Sequence, residues 1–261
     1  MRFAAALALA VLAKDGLALA AGAAGGRYVT PRVVLECETG ALSDKQAEAF
    51  AELLDRGIAD IEALVGPSLP ARARRSAPVL FVVTEQVSMS RSYGRSVLLP
   101  AERVRSRSAP YLHESVHALV PFRGDRVWLS EGLACYLESW VSEHRGGYDA
   151  HVFTRAGDRG IHAAARRFVT RDAGRAVLPW LGRGGQPPDM DEDRSGVARP
   201  FYVLSHSFTK HLVDTLGLDR VVRLLTASDA AGSFERETGR SESQWKDDWL
   251  AAIAAPAASV R

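Results

Sequence analysis

The chain has 261 residues, of which 47% are hydrophobic, 25% charged and 8% aromatic. That balance excludes a disordered, fibrous or collagen-like chain, and the length suffices for one catalytic-sized unit to bury its own core. Lys and Arg number 33 against 31 Asp and Glu, a formal net charge of +2, which argues against nucleic acid or an anionic membrane as the partner.

Arg2 precedes an apolar run from Phe3 to Ala13. The run is shorter than the roughly 20 residues that cross a bilayer, so stable membrane insertion is not expected, and it suits the core of a secretory signal. Ala18-Leu19-Ala20 offers the small-x-small pattern of a cleavage site. Residues 1–20 are therefore read as a signal peptide, 21–26 as a flexible start, and the mature protein as exported, periplasmic or extracellular. The two cysteines, Cys37 and Cys135, either pair in an oxidising compartment or stay as buried thiols.

Residues 27–255 read as a single domain in two parts, 27–107 and 108–255. In the first, Tyr28 to Glu38 is expected as a strand, and Ser43 opens an amphipathic helix that runs to Val65 and stops at Gly66-Pro67. Val79 to Thr84 has the β-branched, aromatic content of an internal strand, and Ser96 to Leu99 is a second strand between Gly94 and Pro100. In the second part the pattern is helical over Tyr111 to Val120, Val127 to Glu143, Phe201 to Leu216, Leu218 to Leu225 and Ser241 to Ile253. Ser241 with Gln244 reads as a capping box, and Trp245, Trp249, Leu250 and Ile253 form the packing face of the last helix. Gly182 to Arg199, rich in Gly, Pro and Asp, reads as a long surface loop able to rim a cleft. The expected fold class is α+β: a small N-terminal mixed sheet with a helix, then a mainly helical half.

The chemistry sits in Tyr111-Leu112-His113-Glu114-Ser115-Val116-His117. Ser108 can cap this helix, Pro110 fits its first turn and Pro121 ends it. Positions four apart share a helix face, so His113 and His117 can each offer a ring nitrogen to one metal ion. Glu114 lies about 100° around the helix from His113, beside the ligands, where a general base takes a proton from metal-activated water. Leu112, Val116, Leu119 and Val120 supply the apolar flank.

Trp128-Leu129-Ser130-Glu131-Gly132-Leu133-Ala134 begins the next helix after a turn that includes Gly124. Glu131 is the natural third ligand, and three protein ligands leave a fourth position open, as in catalytic zinc sites. Gly132 would let the two motif helices approach closely, while Trp128 and Leu129 seat the segment in the core. Val120 and Arg123 stand where a three-histidine motif needs Gly and His, which excludes that version. Asp125 reads as solvated and Glu138 and Glu143 as surface positions; Cys135, one turn beyond Glu131, could also face the metal. His144, His151 and His162 lack the spacing for a second metal, and His211 reads as a surface residue. Arg72, Arg74 and Arg75, and Arg103, Arg105 and Arg107, read as solvated clusters.

H-E-x-x-H followed by W-L-S-E-G-L-A resembles the gluzincin clan of zinc metallopeptidases. The 14-residue step from His117 to Glu131 resembles its compact peptidase MA-like family more than thermolysin or the large aminopeptidases. Tyr202 to Leu225, then Phe234, Gly239, Ser241 and Trp249, are similar to that family's helical tail, so the likeness runs from about Val79 to Ile253. The resemblance implies a zincin-type fold with its cleft between the two parts. It also implies one Zn2+ per chain on His113, His117 and Glu131, and Glu114 as general base and acid. It matches Tyr202 to the tyrosine that donates to the tetrahedral oxyanion, with His206, one turn on, as the alternative donor. Ser96 to Leu99 stands where the clan places the edge strand that pairs with extended substrate; by its residues alone it reads equally as a plain core strand. The chain has no G-x-M-E-N motif for a substrate amine, so aminopeptidase activity is not expected. The expected function is zinc-dependent cleavage of peptide bonds in a peptide or protein, as an endopeptidase. The alternatives are a zincin-fold module that only binds peptide or cell wall, and a structural metal or metal-free helical domain.

Overall fold

The computed structural model describes residues 24–70, 77–122, 125–149, 156–188, 190, 196–227 and 232–255. The signal peptide expected over 1–20, the Arg72–Arg75 cluster, Gly124 and His151 lie outside them. No described helix is long and apolar enough to cross a membrane. The architecture is mixed α+β, and the chain divides into two compact units, Met1–Ala59 with Ser76–Leu119, and Asp60–Arg75 with Val120–Arg261. The division falls at Leu119, so the H-E-x-x-H segment belongs to the same unit as the sheet.

The first unit is built on a five-stranded mixed sheet in the order β1-β2-β3-β5-β4. Strands β1 (Ala24–Val29) and β2 (Val33–Glu38) form an antiparallel hairpin. The single strand expected from Tyr28 to Glu38 is thus two, because the chain reverses at Thr30-Pro31-Arg32, where Thr30 N donates to Val33 O at 2.9 Å. Proline has a preset φ that suits a turn and no N–H for a ladder. Residues 24–26, expected as flexible, pair with the end of β2 instead. Their glycines allow it, since a Cβ on Gly25 would lie 2.6 Å from Thr39 Cα.

Helix α1 (Asp44–Val65) carries the chain from β2 to the parallel strand β3 (Val79–Thr84), the crossover that parallel pairing requires. Ser43 caps it as expected, exchanging bonds with Gln46 at 3.0 and 3.4 Å. Ala47, Ala51, Leu54, Ile58, Ile61 and Val65 form its buried stripe. Asp55 ties it to the hairpin turn, accepting from Thr30 Oγ1 at 2.7 Å and Arg32 N at 2.8 Å. Central strand β3 has Val79, Phe81, Val82 and Val83 all buried, as befits a strand covered on both faces.

Strand β4 (Arg91–Tyr93) precedes β5 (Ser96–Pro100), which pairs parallel to β3 and antiparallel to β4. Of the two readings of Ser96–Leu99 the core strand holds and the edge strand is corrected: β5 is internal, with Val97 and Leu99 fully buried, and the three-residue β4 is the edge on that side. A strand that short carries too little alternation to read from sequence. Short helix α2 (Ala101–Arg105) leads to α3 (Tyr111–Leu119), which packs on β4 and β5. Ser108 is not its cap. The helix starts at Tyr111, which puts Pro110 at the cap position, and Ser108 Oγ pairs with Ser106 Oγ at 3.0 Å.

The second unit holds α4 (Val127–Arg145), α5 (Gly157–Val169), α6 (Asp172–Val177), α7 (Ala198–Leu216), α8 (Leu218–Thr226), α9 (Ser233–Thr238) and α10 (Glu242–Ala254). No described residue after Pro100 is in a strand, as the sequence leads one to expect. Its core is an aromatic stack: Trp128 lies flat on Phe208 at 4.6 Å, and Phe208 on Trp249 at 5.1 Å. Helix α10 begins with the expected capping box, Ser241 N to Gln244 Oε1 at 2.8 Å and Gln244 N to Ser241 Oγ at 3.3 Å. Helix α5 escapes the sequence reading because its buried face is only Ile161, Ala164 and Ala165, and alanine contributes little apolar contrast.

Two expected surface positions are corrected. Glu138 is fully buried in α4, on the core-facing side of a helix whose burial goes nearly all round. His211 is half-buried, edge-on to Trp245 at 6.3 Å. The segment Gly182–Arg199 is only partly loop: Ala198 opens α7, Pro187 and Met190 are buried, and Gly185 N donates to Asp125 O at 2.7 Å. Cys37 and Cys135 are buried thiols. Burial pushes Cys37 up to about 11, so its reactive thiolate is scarce at neutral pH.

Candidate metal centre

Helix α3 is fixed by packing before any ligand is considered. Tyr111 meets Phe50 of α1 edge-to-face, with ring centroids 5.6 Å apart. Leu112, Val116 and Leu119 are buried, as expected from their spacing. Pro110 O accepts from Glu114 N at 3.0 Å, closing the first turn, and Ser115 Oγ donates back to Tyr111 O at 2.6 Å.

The rings of His113 and His117 follow from that anchoring. Their centroids lie 4.8 Å apart at 78°, and their Nε2 atoms converge to 3.1 Å. Two imidazole nitrogens at about 2.0–2.1 Å from one tetrahedral zinc stand about 3.3 Å apart, so the observed pair fits a single ion. Glu131 lies in the second turn of α4. One ligand atom from each of His113, His117 and Glu131 falls within 4.8 Å of the other two, and this is the one such group among the described residues. Two nitrogens and a carboxylate oxygen are a zinc donor set with a coordination position to spare, though other first-row divalent ions also take them.

Glu114 is buried beside the ligands, in the first turn of α3, where the helix dipole favours its negative charge. Asp125, the nearer acid weighed as a ligand, is exposed and outside the group. Cys135 is outside it too.

The close approach at Gly132 is real, but its partner is α7. A Cβ on Gly132 would lie 2.5 Å from Ser205 O and 2.1 Å from Thr209 Oγ1. The α4–α7 crossing therefore sits one residue from Glu131. Tyr202 is half-buried on α7, one turn before Ser205. His206 is fully buried, with its ring edge-on to Tyr136 at 6.2 Å and Nε2 3.9 Å from the Asp158 carboxylate of α5. Burial drives His206 below the ordinary imidazole range, against the pull of Asp158. Burial would raise Asp158, but His206 and Lys210, whose Nζ is 3.1 Å away, hold it below the usual carboxylate range. Burial, then the Asp158 charge, pushes Tyr136 up to about 12.

Arg126, immediately before α4, belongs to no sequence motif. Its side chain is buried, paired with Glu242 of α10, bonded to Ser233 Oγ at 2.9 Å and 5.0 Å from the centre of the Phe234 ring. Its one sequence signal is a charge set directly against an apolar helix start. No protein-family model matches the chain, and no curated protein matches it.

Proposed function

We propose that this chain is an exported zinc-dependent peptidase that cleaves internal peptide bonds, with the zincin-type architecture that the motifs resemble. The observation that carries the reading is the convergence of His113 and His117 Nε2 to 3.1 Å with Glu131 in the same group and a buried Glu114 alongside. A purely structural metal site has no use for Glu114, and a carboxylate is costly to bury.

His113, His117 and Glu131 would hold the ion, which when bound supplies Lewis-acid polarisation of the scissile carbonyl and a lowered pKa for the attacking water. Glu114 takes the proton of that water as general base and returns it to the leaving amide nitrogen as general acid. Tyr202 donates its hydroxyl to the oxyanion as charge develops, a contribution typically worth about 10²–10³ in rate. His206 suits that role less, since it has no exposed surface and turns toward Asp158. Strand β4, the free edge beside α3, offers its backbone to an extended substrate.

The test is metal content by elemental mass spectrometry for wild type, Glu114→Gln, His117→Ala and Glu131→Ala. Circular dichroism checks folding, and a quenched-fluorescence peptide library reads turnover. The reading expects about one zinc per wild-type chain, lost in the two ligand variants, and Glu114→Gln retaining zinc without turnover. A zinc-loaded wild type that cleaves nothing would turn the reading into a peptide- or wall-binding module. Refusal of zinc by folded wild type would overturn it outright.

A further inference from the structure

We infer that Arg126, clamped by Glu242, is a positioning residue that sets the register of the helix start carrying Glu131. This rests on the metal-site reading above. Helix α4 begins without a side-chain cap, although the first amides of a helix need outside partners and an uncapped first turn frays. Leu129 N and Ser130 N both return to Arg126 O at 3.1 Å, so the turn leading into Glu131 hangs on the Arg126 backbone. What fixes Arg126 is its side chain. The guanidinium is inserted between Glu242 at the first position of α10, Ser233 at the first position of α9, and the face of Phe234. Two separate helices, α9 and α10, thus converge on the residue five positions before Glu131.

The energetics of the pair point the same way. Both partners are largely removed from water, and burial outweighs Arg126 enough to leave the Glu242 carboxyl above its usual range. A buried ion pair of this kind stabilises a fold no better than an apolar pair of equal volume, and its best-attested return is conformational specificity. An apolar anchor could slide or rotate. A guanidinium held by a carboxylate, a hydroxyl and a ring face admits one placement, and so one rotation of α4 about its axis.

The experiment uses full-length mature protein as wild type, Glu242→Gln, Arg126→Lys and, for comparison, Asp248→Asn. The last breaks the exposed Arg240–Asp248 pair on the same C-terminal helix. Zinc affinity is read by competition with a chromophoric chelator, the visible spectrum of the cobalt(II)-substituted site reports ligand geometry, and thermal melts of the metal-free proteins report stability. Glu242→Gln and Arg126→Lys are expected to weaken zinc about 10-fold or more, the scale of losses when the support of a metal ligand is removed. They should also alter the cobalt spectrum, while Asp248→Asn changes neither. Variants that melt earlier but keep wild-type zinc affinity and cobalt spectrum would overturn the inference and leave Arg126 as fold stabiliser only. If wild type itself binds neither ion, the metal-site reading has failed first.

Discussion

His113 and His117 bring their Nε2 atoms to 3.1 Å on a helix whose other side chains are buried. Two imidazoles so close gain little from each other and much from an ion between them. Metal removal is therefore expected to lower stability by the linkage term, about 2.7 kcal/mol when free metal stands at about 100 times its Kd. Thermal melts with zinc and with chelator check this. A melting temperature indifferent to chelation would remove the energetic case for the site.

Gly132 marks where α4 and α7 touch. Replacing it with Ala adds helix propensity worth up to about 1 kcal/mol but places a methyl group 2.5 Å from the Ser205 carbonyl. Overpacking of that kind costs about 1–3 kcal/mol, so Gly132→Ala should be net destabilising in urea unfolding. Pairing it with Thr209→Ala, which removes the hydroxyl 2.1 Å from the new methyl, should recover part of the loss. Zinc affinity should fall with it, because Glu131 is the neighbouring residue.

Acid should destabilise the helical unit through its buried and half-buried imidazoles. Burial lowers His206, His162 and His211 below the ordinary 6.5. A folded-state pKa below the unfolded one means that the unfolded chain binds more protons. The stability is thus complete above about 6.5 and lost as pH falls through the lowered values. Asp158 is also depressed but from 3.8, so its contribution is lost only in stronger acid. The midpoint of urea unfolding should drop as pH goes from about 7 to about 5, and His206→Asn should flatten that slope. An unchanged slope would show that His206 does not titrate in this range.

The capping box on α10 makes a local prediction. Ser241→Ala removes the acceptor for Gln244 N and should cost about 1 kcal/mol, since α10 delivers Trp245 and Trp249 to the core. Ser241→Asp, which keeps an acceptor and complements the helix dipole, should restore it. Zinc content should not change in either variant.

What the sequence by itself determined was local. A four-residue histidine step on an amphipathic helix places two rings on one face whatever surrounds it. A Ser and Gln three apart cap α1 and α10 because both bonds close within one turn. The apolar run from Val79 to Thr84 makes an internal strand because only a sheet covered on both faces buries it.

What the tertiary structure decided lies beyond that range. The hairpin at Pro31 and the three-residue edge β4 depend on which strand each segment pairs with. Glu138 reads as surface by its charge, yet packing encloses α4 almost entirely. Gly132 reads as an allowance for the motif helix, yet the space it leaves is filled by Ser205 and Thr209, more than 70 positions along the chain. Arg126 carries no motif, and its role exists only because Ser233, Phe234 and Glu242 return to meet it. Local spacing is fixed by backbone geometry, whereas these contacts are selected by the packing of the whole core, which no short window of sequence contains.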